Sequence, residues 1–226
     1  MSSCASPEVF TDIMVDPFVR GRLHRPVRGN GDGMVLTHGA SGNCNAPLLI
    51  ALAEAFCGAG FTVLRCDLPY RQDRPYGPPG PHDGKRDRAG LRNALSAMKS
   101  LARGRLFIGG QSYGGRQASI VCAEQTEGSA SVAAGLMLLS YPLHPPGKPD
   151  QLRTQHLFDL HTPTLFVEGT RDPFGSIAEI EQAMKLIPGK TRLLTVDGVG
   201  HDLGFKGKSW RHDLPATVLA EFQKFF

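Results

Sequence analysis

From residue 33 to the end of the sequence, short apolar runs alternate with longer segments of helical spacing, and few architectures accept that rhythm. The runs at 34–37, 61–64, 106–108, 134–139, 164–167 and 192–196 read as strands. The segments at 47–59, 88–103, 115–124, 177–186 and 214–226 read as helices. Most of the strand runs are apolar at consecutive positions, as expected of strands covered on both faces, where period-2 alternation disappears. The expected class is therefore α/β, with a doubly wound, mostly parallel sheet and helices on both faces. Residues 8–15 and 20–24 are compatible with two antiparallel strands leading into that sheet.

A chain of 226 residues suits one domain spanning 1–226. Hydrophobic residues make up 41% and charged residues 20%, far from the composition of a disordered chain. The net charge of +4 arises from scattered arginines, without a basic tract, an aromatic-rich RNA-binding pattern or zinc-finger spacing, so nucleic acid is not an expected partner. The most apolar run, 132–139, is too short to span a bilayer, and the first residues lack a leader pattern, so no membrane association is expected. Five cysteines at irregular intervals, with no C-x-x-C pair, read as reduced thiols, which makes the cytoplasm the default compartment.

Gly110-Gln111-Ser112-Tyr113-Gly114 matches G-x-S-x-G between an expected strand and an expected helix. The pattern alone is common in glycine-rich chains, but this context makes it a nucleophile elbow, a sharp turn that exposes the Ser112 hydroxyl. The same turn puts the Tyr113 N–H at a helix N-terminus, where it can donate to a developing oxyanion. A second donor is expected in His38-Gly39-Ala40-Ser41-Gly42, which ends an earlier strand; Ala40 N–H is the first choice and Ser41 N–H the alternative. His38 is expected to brace that loop.

The chain order Ser, then acid, then His calls for a carboxylate after the strand at 164–167 and a histidine after the last strand. Asp172, in Gly169-Thr170-Arg171-Asp172-Pro173, and His201, in Gly198-Val199-Gly200-His201-Asp202, satisfy both conditions. Glu168 is the competing acid, but it belongs to the strand end. Tyr70, Arg71 and His144, in or beside two Pro/Gly-rich loops at 71–84 and 141–149, are the candidate substrate contacts. No cluster of His, Asp or Glu has metal-ligand spacing, so neither a metal nor another cofactor is expected.

These motifs carry a resemblance. With Leu64-Arg65-Cys66-Asp67-Leu68-Pro69-Tyr70-Arg71, the segments 110–116, 141–149, 169–175 and His201-Asp202-Leu203, the chain resembles small α/β-hydrolases related to dienelactone hydrolase. It is most similar to the predicted-hydrolase family that includes NSL-complex subunit 3-like and testis-expressed hydrolase-like proteins. The resemblance implies an α/β-hydrolase fold with little or no cap and a triad at Ser112, Asp172 and His201. Gln111 and Tyr113 depart from the lysine and methionine of many members. The expected function is hydrolysis of a small carboxylic ester or thioester through an acyl-enzyme, by a monomer or homodimer acting on a small-molecule acyl substrate. The alternative is a non-catalytic interaction module that keeps the fold; a complete triad in the correct chain order weighs against it.

Overall fold

The structure is a computed structural model that describes residues 4–124, 131–206 and 210–226. Eight strands form one sheet: β1 (Glu8–Asp12), β2 (Val19–His24), β3 (Gly33–Thr37), β4 (Thr62–Cys66), β5 (Leu106–Gln111), β6 (Gly135–Leu139), β7 (Thr164–Gly169) and β8 (Thr191–Val196). Their spatial order is β1-β2-β4-β3-β5-β6-β7-β8. β1 and β2 are antiparallel to each other, β2 is antiparallel to β4, and every other neighbouring pair is parallel.

The helices are α1 (Pro47–Gly58), α2 (Pro69–Asp73), α3 (Asp83–Leu101), α4 (Tyr113–Ala123), α5 (Ile177–Met184) and α6 (Leu214–Phe225). α1 and α6 cover one face of the sheet around Phe56, Phe107 and Phe222, and α3 and α4 cover the other around Leu91, Ile108 and Leu138. This double cover explains the continuous apolar runs: β3, β6 and β7 are buried at every position.

The short helix α2 was not expected from the sequence, and the helix expected at 88–103 starts earlier, at Asp83. Pro69 opens the short helix α2, its fixed φ suiting a first helical position, and α3 begins at Asp83 with an acid in its first turn. Between β6 and β7, residues 140–163 hold a single 3-10 turn (Leu157–Asp159) among the described residues and no cap.

The cysteine expectation is corrected. Cys4 and Cys57 form a disulfide, with Cα atoms 5.7 Å apart across 53 residues of sequence, while Cys44, Cys66 and Cys122 are buried and take no part in it. The bond ties the first described residues to the last turn of α1. Spacing could not reveal it, because the two sulfurs meet only when the N-terminal segment lies over α1. A disulfide also weighs against the cytoplasmic compartment inferred from reduced thiols. No helix among the described residues is long and apolar enough to cross a membrane.

The sheet decides where a site can form. The chain leaves β3 toward β4 on one side and reaches β5 on the other, so the C-terminal ends of β3 and β5 flank the point where the winding reverses. Thr37 and Gly110 are register partners there, which brings the loops after both strands side by side.

Candidate active site

Ser112 joins β5 to α4 with φ 50° and ψ −118°, a backbone region that costs a non-glycine residue roughly 1–3 kcal/mol. Its N–H donates to Leu139 O at 2.8 Å and its carbonyl accepts from Arg116 N–H at 2.9 Å, so the turn is held at both ends. The glycines of the motif have a steric cause. A Cβ on Gly110 would lie 2.6 Å from Gly115 N, and one on Gly114 would lie 2.4 Å from His38 O.

The three residues expected to act together meet. Ser112 Oγ lies 2.7 Å from His201 Nε2, and His201 Nδ1 lies 2.7 Å from Asp172 Oδ2. Asp172 is buried, and its other oxygen accepts the Phe174 N–H at 2.8 Å, so the carboxylate is aimed by its own loop. Arg171 N–H donates to Val199 O at 2.9 Å and ties that loop to the loop carrying His201. Phe174, which motif reading did not single out, stacks on the imidazole with ring centroids 4.1 Å apart. Only a packed structure shows which aromatic side chain covers a given ring.

Glu168 does not compete for the histidine. It is buried beneath the site, with Oε1 accepting the Tyr141 N–H at 2.8 Å and Oε2 buried without a partner among the described residues. Burial raises its carboxyl well above the ordinary value, which favours the protonated form.

The loop after β3 is braced from behind. His38 is fully buried; its Nδ1–H donates to Gly39 O at 2.9 Å and its Nε2 accepts the Leu68 N–H at 3.0 Å. Those partners require the neutral ring, and burial lowers its pKa in the same sense. Tyr70 Oη donates to Ala40 O at 2.8 Å and to Gly39 O at 3.3 Å. Arg71 donates through Nε to Gly42 O at 2.8 Å and through Nη2 to Ala40 O at 3.1 Å. In a trans peptide the N–H points opposite to its carbonyl, so the Ala40 N–H aims away from His38 and Tyr70. Gly39 lies against Ser112: a Cβ there would be 3.4 Å from Ser112 Cβ. Tyr113 opens α4, so its N–H is one of the first-turn donors that a helix leaves without an internal partner.

Tyr70, Arg71 and His144, the expected substrate contacts, are all buried. The first two spend their polar atoms on loop carbonyls. His144 Nδ1 donates to Pro145 O at 2.8 Å, its backbone N–H donates to Phe174 O at 3.0 Å, and its Nε2 lies 3.6 Å from Glu179. Tyr70 and Arg71 thus hold the loop after β3.

A mostly parallel sheet in this strand order, with a serine elbow after β5, an acid after β7 and a histidine after β8, defines the α/β-hydrolase fold. A family model described as "Alpha/beta hydrolase domain" matches residues 31–222, and the chain belongs to that family. Among solved structures it is similar to a dienelactone hydrolase from Anabaena variabilis ATCC 29413, at 20% identity over 98% of both chains with a TM-score of 0.72. It is also similar to XC6422 from Xanthomonas campestris, described as an a/b serine hydrolase without lid, at 15% identity over 98% of this chain and 96% of that one, with a TM-score of 0.71. Est1E from Butyrivibrio proteoclasticus matches at 16% identity over 97% and 98% of the two chains, with a TM-score of 0.68.

Proposed function

We propose that the protein is a serine hydrolase that cleaves a small carboxylic ester or thioester through an acyl-enzyme. The observation that carries this reading is the unbroken pair of 2.7 Å contacts from Ser112 Oγ through the His201 ring to Asp172. His201 Nε2 takes the hydroxyl proton as Oγ bonds to the carbonyl carbon. Asp172 holds the opposite nitrogen and stabilises the imidazolium that forms. The carbonyl oxygen becomes an oxyanion facing the N–H groups of Tyr113 and Ala40. Collapse breaks the bond to the alcohol or thiol, which leaves with the proton from His201. Water, deprotonated by the same ring, then attacks the acyl-enzyme and releases the acid and Ser112.

An absent cap, with one 3-10 turn between β6 and β7, supports small soluble substrates over long lipid esters. The test is labelling by a fluorophosphonate, whose serine adduct imitates the tetrahedral intermediate. The wild-type protein gains one adduct on the peptide containing Ser112, while folded Ser112→Ala and His201→Ala gain almost none. A folded wild-type protein that stays unlabelled overturns the reading.

A further inference from the structure

A cleft of about 780 Å³ opens between the start of α3 and the first turns of α4, and its lining includes Tyr113, the residue next to the nucleophile. The chemistry of its wall is one-sided, with Lys85, Arg88 and Arg116 all lining it. Arg116 lies one helical turn beyond Ser112, linked to it by the N–H to O bond of 2.9 Å. Among the described residues its guanidinium has no hydrogen bond and no carboxylate partner, and its Nε is buried without one.

Carboxylates elsewhere around the cleft are occupied. Glu124 pairs with Arg88 and Arg92, Asp83 accepts from Arg74 and from the Gly80 N–H, and Asp87 is turned inward beneath the Tyr113 hydroxyl at 2.7 Å. Behind Arg116, Arg153 repeats its sign and the His156 ring is neutral. Burial, and then the Arg116 charge, pushes the His156 ring down to about 4 and lowers Arg153 from its ordinary value. A half-buried guanidinium without a counter-ion, beside a second arginine and one turn from a reactive serine, costs free energy that a bound anion would return.

We propose that this cleft binds an anionic group, a carboxylate or a phosphate, carried by the substrate, with Arg116 as its principal partner. The planar guanidinium offers paired donors that match either oxyanion. Resting on the hydrolase reading, this inference narrows the substrate class to esters or thioesters that also bear a negative charge.

The test compares 4-nitrophenyl butanoate with the matched 4-nitrophenyl hydrogen succinate, and an uncharged aryl acetate with versions bearing a carboxylate or a phosphate on the aryl group. At low salt the wild-type protein turns over at least one anionic ester with kcat/KM about tenfold above its neutral partner, mainly through KM, the scale of one charge-assisted contact. The aryl arms separate carboxylate from phosphate, and the two series separate the acyl side from the leaving-group side. Arg116→Gln lowers the anionic-to-neutral ratio to near one, whereas the exposed Arg28→Gln leaves the ratio unchanged. Raising the ionic strength erodes the wild-type ratio, a readout that does not depend on any variant folding.

The proposal is overturned if every neutral ester matches or exceeds its anionic partner, or if folded Arg116→Gln keeps the anionic advantage. Fluorophosphonate labelling keeps the two readings distinguishable: a labelled protein without anion preference refutes the cleft alone, and an unlabelled one refutes the hydrolase.

Discussion

Phe174 stacks on His201 at 4.1 Å between ring centroids and an interplanar angle of 29°, while its own N–H donates to Asp172 Oδ1 at 2.8 Å. One residue therefore holds both the imidazole and the carboxylate bonded to it, through its ring and its backbone. Phe174→Ala keeps the backbone bond and removes the ring. We expect kcat to fall roughly tenfold with little change in KM, since small errors in the placement of a reacting group are costly. Phe174→Tyr should retain most of the activity in the same ester assay.

Asp172→Asn should cut the rate of fluorophosphonate labelling by about 10⁴, because an amide cannot hold the productive imidazole tautomer. Glu168→Gln, which imitates the protonated acid, should label at close to the wild-type rate. A reversal of these two outcomes would move the acid role to Glu168.

Tyr70→Phe removes the hydroxyl that holds the Ala40 and Gly39 carbonyls. Loss of a whole oxyanion donor costs about 10²–10³ in kcat, so loosening the loop that presents one should cost less, on the order of tenfold. Steady-state kinetics should place the loss in kcat, and Tyr70→Phe should remain folded.

Stability should be limited by different groups at the two ends of the pH range. Burial, then Arg65, lowers His24 to about 4, and burial, then Arg116, does the same to His156. Between the ordinary histidine value of about 6.5 and about 4 the unfolded chain binds protons that the folded chain refuses, so acid destabilises the fold in that window. Glu168 has the opposite sign: burial raises its pKa above the ordinary carboxylate value, so as pH rises past that value the unfolded chain releases a proton that the folded chain retains, and stability falls. Melting temperatures measured from pH 4 to pH 8 should therefore show His24→Gln flattening the acid limb. Glu168→Gln should gain on wild type as pH rises.

The Cys4–Cys57 bond closes a 53-residue separation. Its loss should cost about 2–4 kcal/mol, the usual range for such a crosslink. Cys4→Ser and the reduced wild type should melt at similar, lower temperatures, with ester hydrolysis at 25 °C little changed because the bond lies at α1 rather than at the site.

The serine turn and the α/β class were legible in the amino-acid order because both rest on local relations. The G-x-S-x-G turn works through five consecutive residues, and doubly covered strands must be apolar at consecutive positions. Asp172 and His201 were legible for a related reason: each follows directly on a strand of a sheet whose winding puts those strand ends on one edge.

Relations through space were decided by the tertiary structure alone. The order of residues does not say that Tyr70 and Arg71 turn inward to hold a loop about 30 positions away, or that Glu168 is aimed at Tyr141 rather than at His201. It does not say that Cys4 reaches Cys57, or that Arg116 faces a cleft with no carboxylate of its own among the described residues. Those outcomes depend on the direction of single side chains after helices and strands have packed, and residues far apart in sequence set that direction.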